Sequence, residues 1–250
     1  MTRIAWAALA AMINVMPADV PSDPTLDRLL VCHDRAVGGP ALRSVRRVEY
    51  DLSIEEQGMS LRGRYRAVRE GIAGRMRIDV YAGDTRVFSE WWDGRHAWQL
   101  PQDAKAAAAS KVEGSDALRH GLEQPGHFWT LADMPRNGHA LTLEVRDTAD
   151  SKAYQVVRLT LADGFTTWYW LNPSTCHIER SRTFRSFHPD QETKRKWIET
   201  VFDDFRTSDG ITHPYRDRSR DLMKDTTIAT SRILALRFDP PFTPDSLTAN

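Results

Sequence analysis

The sequence predicts a mainly β protein with a few helices, built on an antiparallel sheet charged on one face. Between residues 45 and 80, three successive segments alternate apolar and charged side chains with the two-residue period of a half-buried strand. Two Asp-Gly pairs, Asp93-Gly94 and Asp163-Gly164, sit between extended segments and supply the positive φ that tight hairpins need. With 41% hydrophobic residues in 250, the chain can bury one sizeable core. Its 34 Lys+Arg balance 34 Asp+Glu, which argues against a nucleic-acid binder with its usual basic excess.

Residues 1–18 read as a secretory signal. Arg3 gives a short positive region, Ile4 to Val15 is apolar apart from Asn14, and Ala18 is small enough to precede a cut. Met16, three before the cut, fits poorly, and the competing reading is a buried N-terminal helix. The expectation is a soluble, exported, periplasmic protein whose residues 19–250 form a single domain. Cys32 and Cys176 are the two cysteines. An exported compartment permits their pairing, whereas the alternative is two small buried side chains.

Asp23-Pro24 opens the first helix, as N-cap and first-turn proline. Leu26, Leu29, Leu30, His33 and Val37 share a face, and Gly38-Gly39 stops it. Val48, Tyr50, Leu52 and Ile54 then alternate with Arg47, Glu49, Asp51 and Ser53. After a turn at Gln57-Gly58, Met59, Leu61, Tyr65 and Ala67 oppose Arg62, Arg64 and Arg66. Over 72–80, Ile72, Met76, Ile78 and Val80 oppose Arg75, Arg77 and Asp79. The turn sets Asp51 opposite Arg64 and Glu49 opposite Arg66, so the arginine stripe reads as a solvated, ion-paired face rather than a membrane-docking one.

A two-residue loop at Asp93-Gly94 would pair Trp91 with His96, Ser89 with Trp98 and Val87 with Leu100, leaving Trp92 on the other face. Residues 102–137 read as a helical insert, with helix-favouring stretches Asp103 to Val112 and Ser115 to Leu122, anchored by His127, Phe128, Trp129 and Leu131. A two-residue loop at Asp163-Gly164 would bring Val157, Leu159, Leu161, Trp168 and Trp170 onto one apolar face. Asn172-Pro173 turns into a strand over 176–187. Residues 197–216 fit either a hairpin at Asp209-Gly210 or a helix through Trp197, Ile198, Val201, Phe202 and Phe205. A last strand, 226–238, gathers Ile228, Leu234, Leu236 and Phe238 before Pro240-Pro241 ends it.

Catalytic patterns are missing from the sequence: no Gly-x-Ser-x-Gly, no His-Glu-x-x-His and no glycine-rich phosphate loop. Cys176-His177 and Asp203-Asp204 are adjacent pairs whose side chains diverge on a strand. His120, Glu123 and His127 match no common metal spacing. The expectation is therefore no enzyme, no metal and no cofactor.

Several landmarks then recur in order. They are Gly38-Gly39 with Leu42 and Val45; Trp92-Asp93-Gly94-Arg95-His96-Ala97-Trp98; and Leu161-Ala162-Asp163-Gly164 followed by Tyr169, Leu171, Asn172 and Pro173. Phe202-Asp203-Asp204-Phe205-Arg206 with Asp209-Gly210-Ile211 and Pro214 comes next, and Pro240-Pro241 with Leu247 closes the series. Together they resemble the LolA-like outer-membrane lipoprotein carrier superfamily, from about Leu26 to Leu247.

The resemblance implies a strongly curved antiparallel sheet, an unclosed barrel with helices in its concave side, and an apolar cavity for acyl chains between them. It implies the hairpin reading at Asp209-Gly210, no catalytic residues, and a lipid or lipidated protein as partner, with membrane-associated envelope proteins as further ones. A monomer is expected. If the concave face carries the two apolar hairpin faces, Trp91, Trp98, Leu100, Leu159, Trp168 and Trp170 line the cavity together with Leu29 and Leu30 of the first helix. The competing reading is a non-carrier envelope interaction or sensor protein whose core is filled.

Overall fold

The computed structural model describes residues 24–248. The expected signal segment and Asp23 lie outside them. Helix α1 (Pro24–Ala36) ends at Gly38, whose φ of 74° no β-carbon favours, and the chain re-enters a short helix α2 (Gly39–Ser44) with a proline in its first turn. Leu26, Leu29 and His33 are buried, as the helical spacing predicts.

The strands are β1 (Arg47–Glu56), β2 (Met59–Val68), β3 (Arg75–Ala82), β4 (Thr85–Trp92), β5 (Ala97–Pro101) and β6 (Ala108–Ala109), then β7 (Ala140–Leu143), β8 (Asp147–Ala149), β9 (Lys152–Thr160), β10 (Thr166–Leu171), β11 (Ile178–Arg185), β12 (Lys196–Ser208), β13 (Ile211–Asp221) and β14 (Thr226–Phe238). They form one 14-stranded sheet in the order β6-β5-β4-β3-β2-β1-β14-β13-β12-β11-β10-β9-β7, with β8 pairing β9. Every pairing is antiparallel, and β6 and β7 remain separate edges, so the sheet is an unclosed barrel. Register shifts in the β1–β14, β3–β4, β10–β11 and β13–β14 pairs bend it.

The first hairpin has the expected register, with Glu49 opposite Arg66 and Asp51 opposite Arg64. The arginine stripe is ion-paired throughout: Arg62 to Asp84, Arg64 to Asp51, Arg66 and Arg77 to Asp79, and Arg75 to Glu70. The C-terminal tail lies across this face. Arg47 donates to the Phe242 carbonyl at 3.2 Å, and Leu247 is fully buried. Asp209-Gly210 makes a two-residue hairpin between β12 and β13, as the resemblance implies.

Five expectations are corrected. The β4–β5 loop has four residues, because Asp93 Oδ1 accepts the Arg95 and His96 amides at 2.8 Å each, so Trp91 pairs with Trp98 and Ser89 with Leu100. The β9–β10 loop has three. Gly164 donates to the Leu161 carbonyl at 2.9 Å with φ 90°, and Leu161 then pairs with Phe165. That one-residue slip reverses the β10 faces, setting Tyr169 beside Val157 and Trp168 beside Arg158.

Asp103 to Val112 is no helix. Ala108–Ala109 instead caps the open edge of β5 as β6, and α3 (Val112–Glu123) begins after it. Leu234 is extruded where β1 and β14 shift register, leaving it 61% exposed while Ile233 packs inward. The third strand also starts late, at Arg75, because Gly71 and Gly74 turn the chain with φ of 66° and 61°.

Two cores cover the concave face. Val48, Tyr50, Tyr65, Ala67, Met76 and Trp92 of β1–β4 pack with Leu122 of α3 and Phe128. Leu26 and Leu29 of α1 pack with Leu131, Met134 and the β9–β10 residues Val157, Leu159, Tyr169 and Leu171. Cys32 and Cys176 are disulfide-bonded, their Cα atoms 5.8 Å apart, which ties α1 to the end of β10.

Candidate functional site

Helices cover the two arms of the sheet, α3 over β3–β5 and α1 over β9–β10. The long central strands β12, β13 and β14, of 13, 11 and 13 residues, are covered mainly by the loop after α3. A cavity of ≈ 360 Å³ fills this gap. That is within the range of small-ligand sites, about 300–1,000 Å³. Its floor is Tyr50 and Leu52 of β1, Tyr65 of β2, Ile233 of β14 and Phe202 and Phe205 of β12. Its roof is His33 and Val37 from the α1 end, with Pro125, Gly126, His127 and Trp129 from the loop. Phe202 and Phe205 are three apart and would face opposite ways on a regular strand. Asp204 between them sits at φ 54°, and both reach the cavity.

The polar groups here are few and mostly uncharged. Tyr50 Oη and His127 Nδ1 are 3.0 Å apart, His127 stacks on Tyr65, and His213 stacks on Tyr50. Burial lowers His127 to about 4 and His213 to about 3, the latter helped by His127. His33 is also lowered to about 4 by burial, against a 3.0 Å hydrogen bond to the Cys176 carbonyl. Asp217, on β13, is raised to about 6 by burial, against a hydrogen bond from Ser231. No lysine or arginine lines the cavity among the described residues.

All eight cavity candidates read from the sequence lie elsewhere. Trp91 pairs with Arg77, whose guanidinium sits 5.1 Å from its ring centre, on the convex face with Trp98 and Leu100. Trp168 and Trp170 are convex too. Trp168 meets Trp197 edge-on, and Trp170 donates to Asp147 at 2.9 Å beneath Arg182. Leu29, Leu30 and Leu159 are concave but belong to the α1 core beside the cavity. Trp92, expected on the outer face, is core. Tyr50 and Tyr65 were legible as members of the oily faces of their strands. His213 and Asp217 follow from the two-residue loop at Asp209-Gly210, which fixes the β12–β13 register.

The one close His/Asp cluster among the described residues does not need a metal. Asp163 Oδ2 is 2.7 Å from His120 Nε2 and 2.6 Å from Arg119 Nη2, which also reaches Asp116 at 3.1 Å, so a guanidinium already occupies the centre. His127 is in the cavity instead.

No protein-family model and no curated protein matches the sequence. Solved structures do match. A DUF1329 family protein from Desulfovibrio piger superposes with a TM-score of 0.60 at 13% identity, covering 88% of this chain and 96% of that one. A putative outer membrane lipoprotein-sorting protein domain from Vibrio parahaemolyticus gives 0.60 at 8% identity, with 88% and 96% covered. A LolA superfamily protein from Nitrosomonas europaea gives 0.57 at 13% identity, with 90% and 97% covered. The fold is LolA-like. The LolA-like framework accounts for the arrangement seen here: a half-barrel, helices in its hollow, and a cavity where they leave the central strands uncovered. Among the described residues no helix is long and apolar enough to cross a membrane.

Proposed function

We propose that this chain is an exported periplasmic carrier or binding protein for a lipid or lipidated protein, holding acyl chain in the cavity between sheet and helices. The cavity itself carries the reading: an aromatic and aliphatic hollow of ≈ 360 Å³ on a fold shared with a putative lipoprotein-sorting domain. Acyl chain entering it gains about 0.8 kcal/mol per buried CH₂. The Cys32–Cys176 bond supports an oxidising compartment, in line with the signal at residues 1–18. In this reading residues 19–250 are one domain acting as a monomer without catalytic residues. An interaction or sensor protein with a filled core is the competing class, and the open hollow weighs against it.

Protein purified from the periplasm of an exporting bacterium should release lipid on organic extraction, in near-equimolar amount by mass spectrometry. N-terminal sequencing of the same material should begin at Asp19. Lipid-free protein whose tryptophan fluorescence shows no saturable response to any acylated ligand would defeat the carrier reading in favour of the filled core.

A further inference from the structure

The cavity holds one acidic side chain, Asp217, and no lysine or arginine among the described lining residues. Asp217 projects from β13 onto the concave face, opposite Phe202 on β12 and Ser231 on β14. Methylenes laid over it would strip water from a carboxylate and return no hydrogen bond, which is costly. A ligand carboxylate placed there would meet a like charge with no lysine or arginine to offset it. His33, His127 and His213 do not compensate, because burial keeps all three neutral. An occupant satisfies the site when its polar end gives Asp217 a hydrogen bond. The His213 ring, stacked on Tyr50 in the same wall, is a further polar partner.

We propose that the cavity selects acyl chains that end in a hydrogen-bond donor without negative charge, such as a glyceryl ester or an N-acyl amide, and discriminates against free fatty acids through Asp217. This rests on the carrier reading above and narrows it to a ligand class. A lipidated protein anchor falls within that class where it offers a free glycerol hydroxyl or an N-acyl amide N–H, and a fatty acid released from it does not.

Monolauroylglycerol and laurate share one chain length and differ at the polar end. Their affinities for the full chain, read from intrinsic tryptophan fluorescence at about pH 8, test the proposal above the carboxyl's raised value of about 6. Monolauroylglycerol should bind at least about tenfold tighter than laurate. In Asp217→Asn the gap should shrink to about threefold or less, chiefly by a gain for laurate. Equal or tighter binding of laurate by the unaltered protein would overturn the selectivity while leaving the carrier reading standing. A preference that survives unchanged in Asp217→Asn would remove Asp217 as its cause. Binding of neither probe would sink both. If Asp217→Asn does not fold, the wild-type pair of affinities still decides the sign.

Discussion

Three neutral histidines make the cavity region sensitive to acid. His33, His127 and His213 are held below the usual imidazole value by burial, so the folded chain binds fewer protons than the unfolded one near pH 5. Stability is therefore full above about pH 6.5 and falls as pH drops toward about 4. For His33 alone the loss is roughly 3 kcal/mol. His188 works the other way. Its hydrogen bond to Glu56 raises it, and that contribution is present below about pH 6.5 and fades as pH rises past its folded value. Asp217 and Glu90, raised by burial to about 6 and about 7, act with His188 against those three histidines, so the pH slope is the balance of the two sets, and urea midpoints of His33→Gln should fall less between about pH 6.5 and pH 4.5 than those of the unaltered protein. At the same scale Trp92 and Trp98 exchange their expected roles. Trp92→Ala should cost about 3–5 kcal/mol, because Trp92 is in the core, and Trp98→Ala distinctly less, because Trp98 is half-exposed. Equilibrium unfolding of the two variants compares them.

Among the elements, the corner between α1 and α2 is the tightest joint. A β-carbon on Gly38 would lie 1.9 Å from the Gly210 carbonyl oxygen, and Thr212 donates to the Val37 carbonyl at 3.2 Å beside it. Gly38→Ala combines that clash with a positive φ and should destabilise by more than about 2 kcal/mol. Gly58→Ala, with φ 81° and open space around it, should cost about 1 kcal/mol, so thermal unfolding of the pair separates crowding from backbone strain. The elements are also where sequence reading succeeds and stops. Alternation places every strand from β1 to β3, and the β1–β2 register follows from its two-residue turn. Asp-Gly alone leaves loop length open. At Asp93-Gly94 a four-residue loop moves the register by two and keeps the faces, whereas at Asp163-Gly164 a three-residue loop moves it by one and exchanges them. Whether the Asp93 carboxylate or the Leu161 carbonyl closes the turn is decided by hydrogen bonds among neighbours, which a dipeptide does not specify. Polarity alone does not say which face is concave, since the apolar Trp91 of β4 lies on the outer side, paired with Arg77 of β3.

At the scale of the whole molecule, two ties brace the half-barrel. One is the disulfide. The other is the loop of residues 186–195 between β11 and β12, which reaches the far arm. There Asp190 accepts from Gln99 at 2.7 Å and from the Lys111 amide at 2.7 Å, and His188 meets Glu56 at 2.6 Å. Replacing both Cys32 and Cys176 by alanine should cost about 3–5 kcal/mol, since the bond closes a very long loop. Urea unfolding with and without reductant should show the same loss in the unaltered protein and none in the double variant.

On the export route proposed above, the disulfide would also set an order of events during maturation. A chain crossing a membrane from its N-terminus presents Cys32 early, and the thiol then waits while most of the sheet follows before Cys176 arrives. Two cysteines allow one intramolecular pairing, so no wrong bridge within the chain exists to be undone. The cell must supply an oxidant and has no need of an isomerase. Until oxidation is complete, the lone Cys32 thiolate is the chain's exposed point to mixed disulfides with other proteins.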